Sequence, residues 1–303
     1  MRNVTSDTIT EAFLKTFGSE TNPRLAFIME RFAHHLHAFA RETNLTHEEW
    51  MRGIQFLEAT GAISDDKRHE FVLLSDIFGL SALVDMLHSP EDGTSSSVLG
   101  PFHQENAPPL AVGGDLKKDN PGDVVLVEGI VKSVDGTPLG GAKIDIWQTA
   151  TNGLYAAQDE AMAPFEFHAT MVTGEDGRYA FTTVRPAPYT VPTDGPVGEL
   201  LEATGRHPWR PSHLHFIVAA NGHRRLVTEV FPRDDAYLDE DAVFGVRDDL
   251  IMEYVPQPPG TFPAGLELSG KVDGPWWKVS FDLVLCALKT AAPEKTLENC
   301  NAD

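Results

Sequence analysis

Residues 213–231 read HLHFIVAANGHRRLVTEVF. Two runs rich in β-branched and aromatic residues, 214–219 and 226–231, flank Asn221-Gly222. Asn and Gly reach positive φ at little cost, so this pair between two such runs is a strong hairpin signal. The pattern continues outward. Residues 124–134 read as a strand ended by Asp135-Gly136, and 142–148 as another with Asn152-Gly153 just beyond. Asp176-Gly177 precedes a strand at 178–181, and a last strand runs from 277 to 285. Short strands between frequent turns predict an all-β sandwich over residues 123–289.

Further upstream the period changes. Asn22 caps a helix with Pro23 at its first position, and Leu25, Ile28, Phe32, Leu36 and Phe39 recur on one helical face. Thr46 and Glu49 make a capping box before Trp50, Ile54 and Leu57. Ser64 is the expected cap of a segment carrying Phe71, Leu74, Ile77 and Phe78, and Ser6 or Thr8 starts an earlier one. Residues 1–90 are thus expected to be an all-α region preceding the sandwich. Residues 91–122, dense in Ser, Gly and Pro, read as a long crossing loop of the kind that is usually functional or disordered. Residues 290–303 read as a loose polar tail.

Composition excludes several classes. The net charge of −21 would be repelled by phosphate backbones and anionic lipid, so neither nucleic acid nor a membrane surface is an expected partner. No run approaches the roughly 20 apolar residues of a bilayer span. The polar start, Met1 to Asp7, lacks the apolar core of a secretory signal. Two cysteines, Cys286 and Cys300, make no disulfide framework, and the expected setting is a reducing cytoplasm.

The 12 histidines point towards metal. His213 and His215 share one face of a strand. Two imidazoles on a rigid face can hold one metal or can be a structural pair, and the motif alone leaves both open. An irregular loop rich in Pro, Arg and Trp leads into this strand, a common place for sites. No acidic residue stands at 216–220, where zinc hydrolases with this motif usually have one nearby. Tyrosine is scarce. Of five, Tyr155 follows Asn152-Gly153 and Tyr189 lies in a proline-stiffened segment, 185–192. Packing is the ordinary role for each. Phenolate is also a hard anionic ligand suited to a trivalent cation, and a metal brings tyrosine to phenolate despite a free pKa of about 10.

Read in order, the motifs resemble those of the intradiol ring-cleaving dioxygenases of the catechol and hydroxyquinol type. They are Leu99-Gly100-Pro101-Phe102-His103, Val127-Glu128-Gly129, Gly136-x-Pro138-Leu139-x-Gly141-Ala142, Ile146-Trp147-Gln148, Asn152-Gly153-x-Tyr155, Arg185-Pro186-x-Pro188-Tyr189 and Arg210-Pro211-x-His213-x-His215-Phe216. The resemblance covers most of the chain. It implies one non-haem Fe(III) per subunit, no organic cofactor, O₂ as co-substrate, and Tyr155, Tyr189, His213 and His215 as ligands. Tyr189 would be the ligand released when substrate chelates, and would take a substrate proton. Arg210 would stabilise negative charge developing on the ring, its plainer role being to anchor the loop. Glu229 stands where other members carry glutamine, beside the metal.

The resemblance also places Leu73, Asp76, Val98, Leu99, Gly100, Pro101, Phe102, Val191, Pro192 and Val243 around the substrate ring. Phe102-His103, residues 206–211 and residues 237–246 look more like hydroxyquinol than catechol enzymes. Asp76 could accept a hydrogen bond from a third hydroxyl that catechol lacks. The implied product is 3-hydroxy-cis,cis-muconate, or cis,cis-muconate if catechol is the substrate. The N-terminal helices match a homodimer interface that encloses an apolar tunnel able to hold a phospholipid. Two other readings stand beside this one: a zinc or copper enzyme using His213 and His215 with carboxylates, and a non-catalytic β-sandwich binding module.

Overall fold

The structure, a computed structural model, describes residues 2–65, 68–89 and 92–288. The expected tail at 290–303 lies outside the described residues.

The chain forms two compact units, Met1–Ala62 and Ile63–Asp303. The first holds α1 (Ile9–Leu14), α2 (Pro23–Glu42) and most of α3 (His47–Ile63). Both expected caps are present. Asn22 Oδ1 accepts from the backbone N–H groups of Arg24 and Leu25 at 2.9 and 3.1 Å. Thr46 and Glu49 bond reciprocally, at 3.2 Å to the Glu49 N–H and 2.9 Å to the Thr46 N–H. These bonds satisfy donors that the first helical turn leaves free. The α2 stripe of Leu25, Ile28, Phe32, Leu36 and Phe39 is exposed along its whole length.

The first unit ends at residue 62, inside the helical region expected at 1–90. The next helix, α4 (Glu70–Ile77), begins six residues after the expected Ser64 cap and follows His69. It meets α5 (Leu80–His88) at 72°. Its ties run forward to α6 (Pro196–Ala203), a helix the sequence reading lacked. The buried Glu70 carboxylate pairs with Arg68 at 3.0 Å and accepts from the Val197 N–H at 3.2 Å. A carboxylate there also meets the positive end of α6. No single helix among the described residues is long and apolar enough to cross a membrane.

The second unit is built on two main sheets. One runs β1 (Gly114–Asp115), β5 (Arg178–Val184), β2 (Val124–Ser133), β12 (Trp276–Ser280) and β11 (Val255–Gln257), with β13 (Leu283–Leu285) also on β2. The expected last strand is thus two short ones, both parallel to β2. The other runs β10 (Ile251–Met252), β9 (Leu226–Pro232), β8 (Leu214–Ala219), β3 (Lys143–Gln148) and β4 (His168–Val172). A ribbon of β6 (Tyr189–Thr190) and β7 (Trp209–Arg210) stands apart. The core between the sheets takes Val125, Val127 and Phe181 from one and Ile144, Ile146, Leu214, Phe216, Val218 and Val230 from the other. Strand alternation then turns Asp145, Trp147, His215, Ile217 and Glu229 to the opposite face. That face is buried as well, so β8 reads as a continuous apolar run broken by His215. The 92–122 segment crosses the fold mostly without regular structure, carrying only β1 and an isolated bridge from Pro109 to Thr170.

Gly129 lies inside β2, where a Cβ would stand 1.8 Å from the Phe281 carbonyl oxygen. The Tyr179 hydroxyl donates to that same oxygen at 2.6 Å. A glycine inside a strand often marks such a close backbone approach. Gly129→Ala is expected to cost about 3 kcal/mol, read as a lower urea midpoint with unchanged slope; an unshifted midpoint would show that β12 and β13 are packed otherwise.

Candidate metal centre

The strand registers Trp147↔His168, Trp147↔His215 and His215↔Glu229 set four side chains in one row across β4, β3, β8 and β9. The Trp147 indole stacks on the His215 ring at 4.4 Å with the planes 4° apart. This fixes the plane of one expected ligand. His213, just before β8, reaches the same face. Its Nδ1 lies 2.9 Å from the Pro211 carbonyl and donates to it, which leaves the Nε2 lone pair free.

Tyr155 Oη lies 3.1 Å from both His213 Nε2 and His215 Nε2, and those two nitrogens are 3.0 Å apart. All three residues are buried. A point central to this near-equilateral triangle is about 1.8 Å from each corner, so a cation just off the plane would meet all three near the usual 2.0–2.1 Å. Tyr189 completes the set from β6, its ring edge-on to Tyr155 at 5.5 Å and 5.6 Å from His213. The four expected ligands are therefore brought together.

Electrostatics fit a cation at this point. Burial holds both imidazoles neutral, His215 the more strongly because His213 and Arg210 lie nearby. Burial, followed by neighbouring Tyr189, pushes the Tyr155 phenol well above its ordinary value; burial raises Tyr189 too. Two lone-pair donors beside two protonated phenols make a set that a hard, highly charged cation would convert to phenolates. The buried His215 Nδ1 has no hydrogen-bond partner among the protein atoms.

Glu229 is the nearest carboxylate, with Oε1 3.4 Å from His213 Nε2 and 3.5 Å from His215 Nδ1. Its own lone pairs are already engaged. Arg210 donates to both oxygens at 2.8 and 2.9 Å, and Ser97 Oγ lies 2.8 Å away. The other side of the Arg210 guanidinium meets Asp241 at 3.0 and 3.1 Å. Burial pushes the Glu229 carboxyl up, but Arg210 and His213 outweigh it and hold it below its ordinary value. Gly245 closes the cluster, since a Cβ there would come within 2.7–3.0 Å of Arg210, Glu229 and Asp241. Arg210 thus faces the site through one N–H, 3.4 Å from Tyr189 Oη.

A narrow cavity adjoins Tyr189 and Arg210. Of the expected ring-pocket residues, Leu73, Asp76, Val98, Gly100, Pro101, Phe102, Val191, Pro192 and Val243 all line it. Leu99 is exposed and lines an outer cleft, whose lining also includes Asp76, Val98, Gly100 and Pro101. Phe102 stacks on Tyr155 at 4.8 Å. Burial pushes the Asp76 carboxyl up, with Ser81 partly opposing. The sequence reading missed Trp147, Ser97, Asp241 and a second polar cluster of His103, Asp145 and His168. Trp147 and Asp145 stand one and three residues before the end of a strand that was legible, and the register of that strand was the missing signal.

Residues 98–285 match the family described as Dioxygenase, and residues 22–95 match that described as Catechol dioxygenase N terminus. The chain is 47% identical over 264 residues to a 6-chlorohydroxyquinol 1,2-dioxygenase of Cupriavidus pinatubonensis, covering 86% of this chain and 96% of that protein. It is 43% identical over 282 residues to a hydroxyquinol 1,2-dioxygenase of Nocardioides simplex, covering 91% and 94%. A solved hydroxyquinol 1,2-dioxygenase from Pseudomonas putida superposes with a TM-score of 0.86 at 40% identity, covering 93% of this chain and 99% of that one.

The ion cluster orders two substitutions. Arg210→Met would leave two buried carboxylates without their cation, at a cost of about 3–5 kcal/mol; Glu229→Gln would leave Arg210 still paired with Asp241 and cost less. Thermal melts of the two variants at neutral pH check the order, and an equal loss in both would show that the cluster is not electrostatically continuous.

Proposed function

We infer the reaction from the family, because the chain belongs to the intradiol ring-cleaving dioxygenases, enzymes of the non-haem iron type. The proposed substrate is hydroxyquinol, benzene-1,2,4-triol, opened between its adjacent hydroxyl-bearing carbons with both atoms of O₂ incorporated, to give 3-hydroxy-cis,cis-muconate. The observation that carries the choice is Asp76. Its carboxyl is buried in the wall of the cavity that also holds Tyr189 and Arg210. A carboxyl there, already bonded by Ser81, has a further lone pair for the extra hydroxyl of a triol, a bond that a diol cannot make, and a site built on such a bond discriminates between the two. The hydroxyquinol and chlorohydroxyquinol substrates in the names of the relatives support the same reading.

Tyr155, Tyr189, His213 and His215 would hold Fe(III), which when bound draws electron density from the chelated diol and makes it reactive towards O₂. The chain's residues do the rest. Phe102, Val98 and Val243 hold the ring and exclude water. Tyr189 takes a substrate proton, and the Arg210 N–H beside its oxygen keeps it in place. Glu229 cancels part of the Arg210 charge and so tempers its pull on the ring.

The exposed stripe of α2, where Leu25, Phe32 and Phe39 each keep about half their surface in water, supports a homodimer through these helices, with a phospholipid held in the apolar interface. A solution mass twice 33.2 kDa is the expected result of light scattering. The reducing cytoplasm is the proposed setting.

Phenolate bound to Fe(III) absorbs visible light, so the purified protein should be coloured. Tyr155→Phe and His215→Ala should each lose iron and colour together; either variant keeping both would refute the ligand assignment. Oxygen uptake should show kcat/KM favouring hydroxyquinol over catechol, and Asp76→Ala should reduce that ratio at least about tenfold. A parent enzyme that prefers catechol would overturn the substrate.

A further inference from the structure

The wall of the ring pocket, residues 98–102, is tied down at both ends. At its leading end the Ser97 N–H donates to the Val227 carbonyl at 3.0 Å, and Ser97 Oγ sits 2.8 Å from both Glu229 Oε2 and the Gly245 carbonyl. At its trailing end His103 Nε2 donates to Asp145 Oδ2 at 3.0 Å. The second oxygen of Asp145 accepts from His168 Nε2 at 2.8 Å. Between these ties the wall touches the metal centre twice. A Cβ at Gly100 would lie 3.3 Å from His215 Cε1, and Phe102 stacks on Tyr155.

Asp145 stands on β3 two residues before Trp147, so both project from the same face. The His103 ring lies edge-on to Trp147 at 4.8 Å, and Trp147 is the residue stacked on His215. Burial pushes the Asp145 carboxyl up, but hydrogen bonds from His103 and then His168 bring it down to about 2, so it is a fixed anion under working conditions. The 2.8 Å separation to His168 is that of a charge-assisted hydrogen bond, and the 3.0 Å separation to His103 is of ordinary N–H···O length. His168 occupies one side of the carboxylate and sets its rotation, leaving the other oxygen aimed at His103.

We propose that Asp145 is a positioning residue for ring cleavage, which through His103 clamps the trailing end of the pocket wall at the height that seats the ring against Tyr155 and His215. The clamp rests on the reading of this cavity as the substrate pocket. It acts on where the ring lies rather than on whether metal is held. Small displacements of reacting groups cost large factors in rate or affinity, so a wall freed at one end should be costly.

The test uses the full-length, iron-loaded enzyme. In His103→Ala, amide hydrogen exchange across residues 98–103 should rise at least about tenfold, and KM for hydroxyquinol should rise by about the same factor with kcat nearly unchanged. Iron content and the visible absorption should stay as in the parent. His103→Gln, whose side-chain amide can still donate to Asp145, should restore both exchange and KM. Asp145→Ala should repeat the His103→Ala result. Unchanged exchange in His103→Ala, or a glutamine variant that behaves like alanine, would overturn the clamp. So would a rise in KM that comes with loss of iron. If the exchange responds but the parent does not turn over hydroxyquinol, the substrate reading falls and the clamp stands.

Discussion

The site depends on strand register. His168, Trp147, His215 and Glu229 come from four strands and stand in one transverse row. Because side chains alternate along a strand, a slip of one residue in β8 would send His215 into the sandwich core and bring Phe216 to the metal face. The core prevents this by filling the opposite face with Leu214, Phe216 and Val218. The apolar packing that stabilises the fold therefore also fixes the ligand geometry. The stacked Trp147 then removes the remaining freedom, the rotation of the His215 ring.

The electrostatics follow from the same row. A carboxylate so close to two imidazoles and two phenols would compete with the phenols for a cation if its oxygens were free. They are taken by Arg210 and Ser97, and Arg210 is in turn shared with Asp241. The chain's surplus of acid thus reaches the centre as two carboxylates sharing one guanidinium. Buried ion clusters seldom add stability beyond what apolar residues would give. Their value here lies in fixing which residues face the metal and which stand behind it.

Much of this was legible in the sequence. The strand boundaries around β2, β8 and β9 follow from composition and turn residues, and the two helix caps from side-chain chemistry. The motifs carried the four tyrosine and histidine positions and nearly the whole cavity lining. What stayed hidden depends on pairing across distance. A two-residue turn at Asn221-Gly222 would have set Thr228 opposite His215; the longer loop sets Glu229 there. The joining of α4 to α6 through Glu70 involves residues 127 positions apart, and local pattern carries no trace of it.

The unit boundary at residue 62 falls inside the helical region expected at 1–90. Asp76 and Leu73, which line the cavity, sit on α4 in the unit that carries the candidate metal centre, whereas the exposed stripe of α2 belongs to the other unit. The residues proposed for ring choice and those proposed for association thus belong to different units, and selection can act on each set by itself. The family's spread of substrates over one scaffold is what such a division of labour would permit.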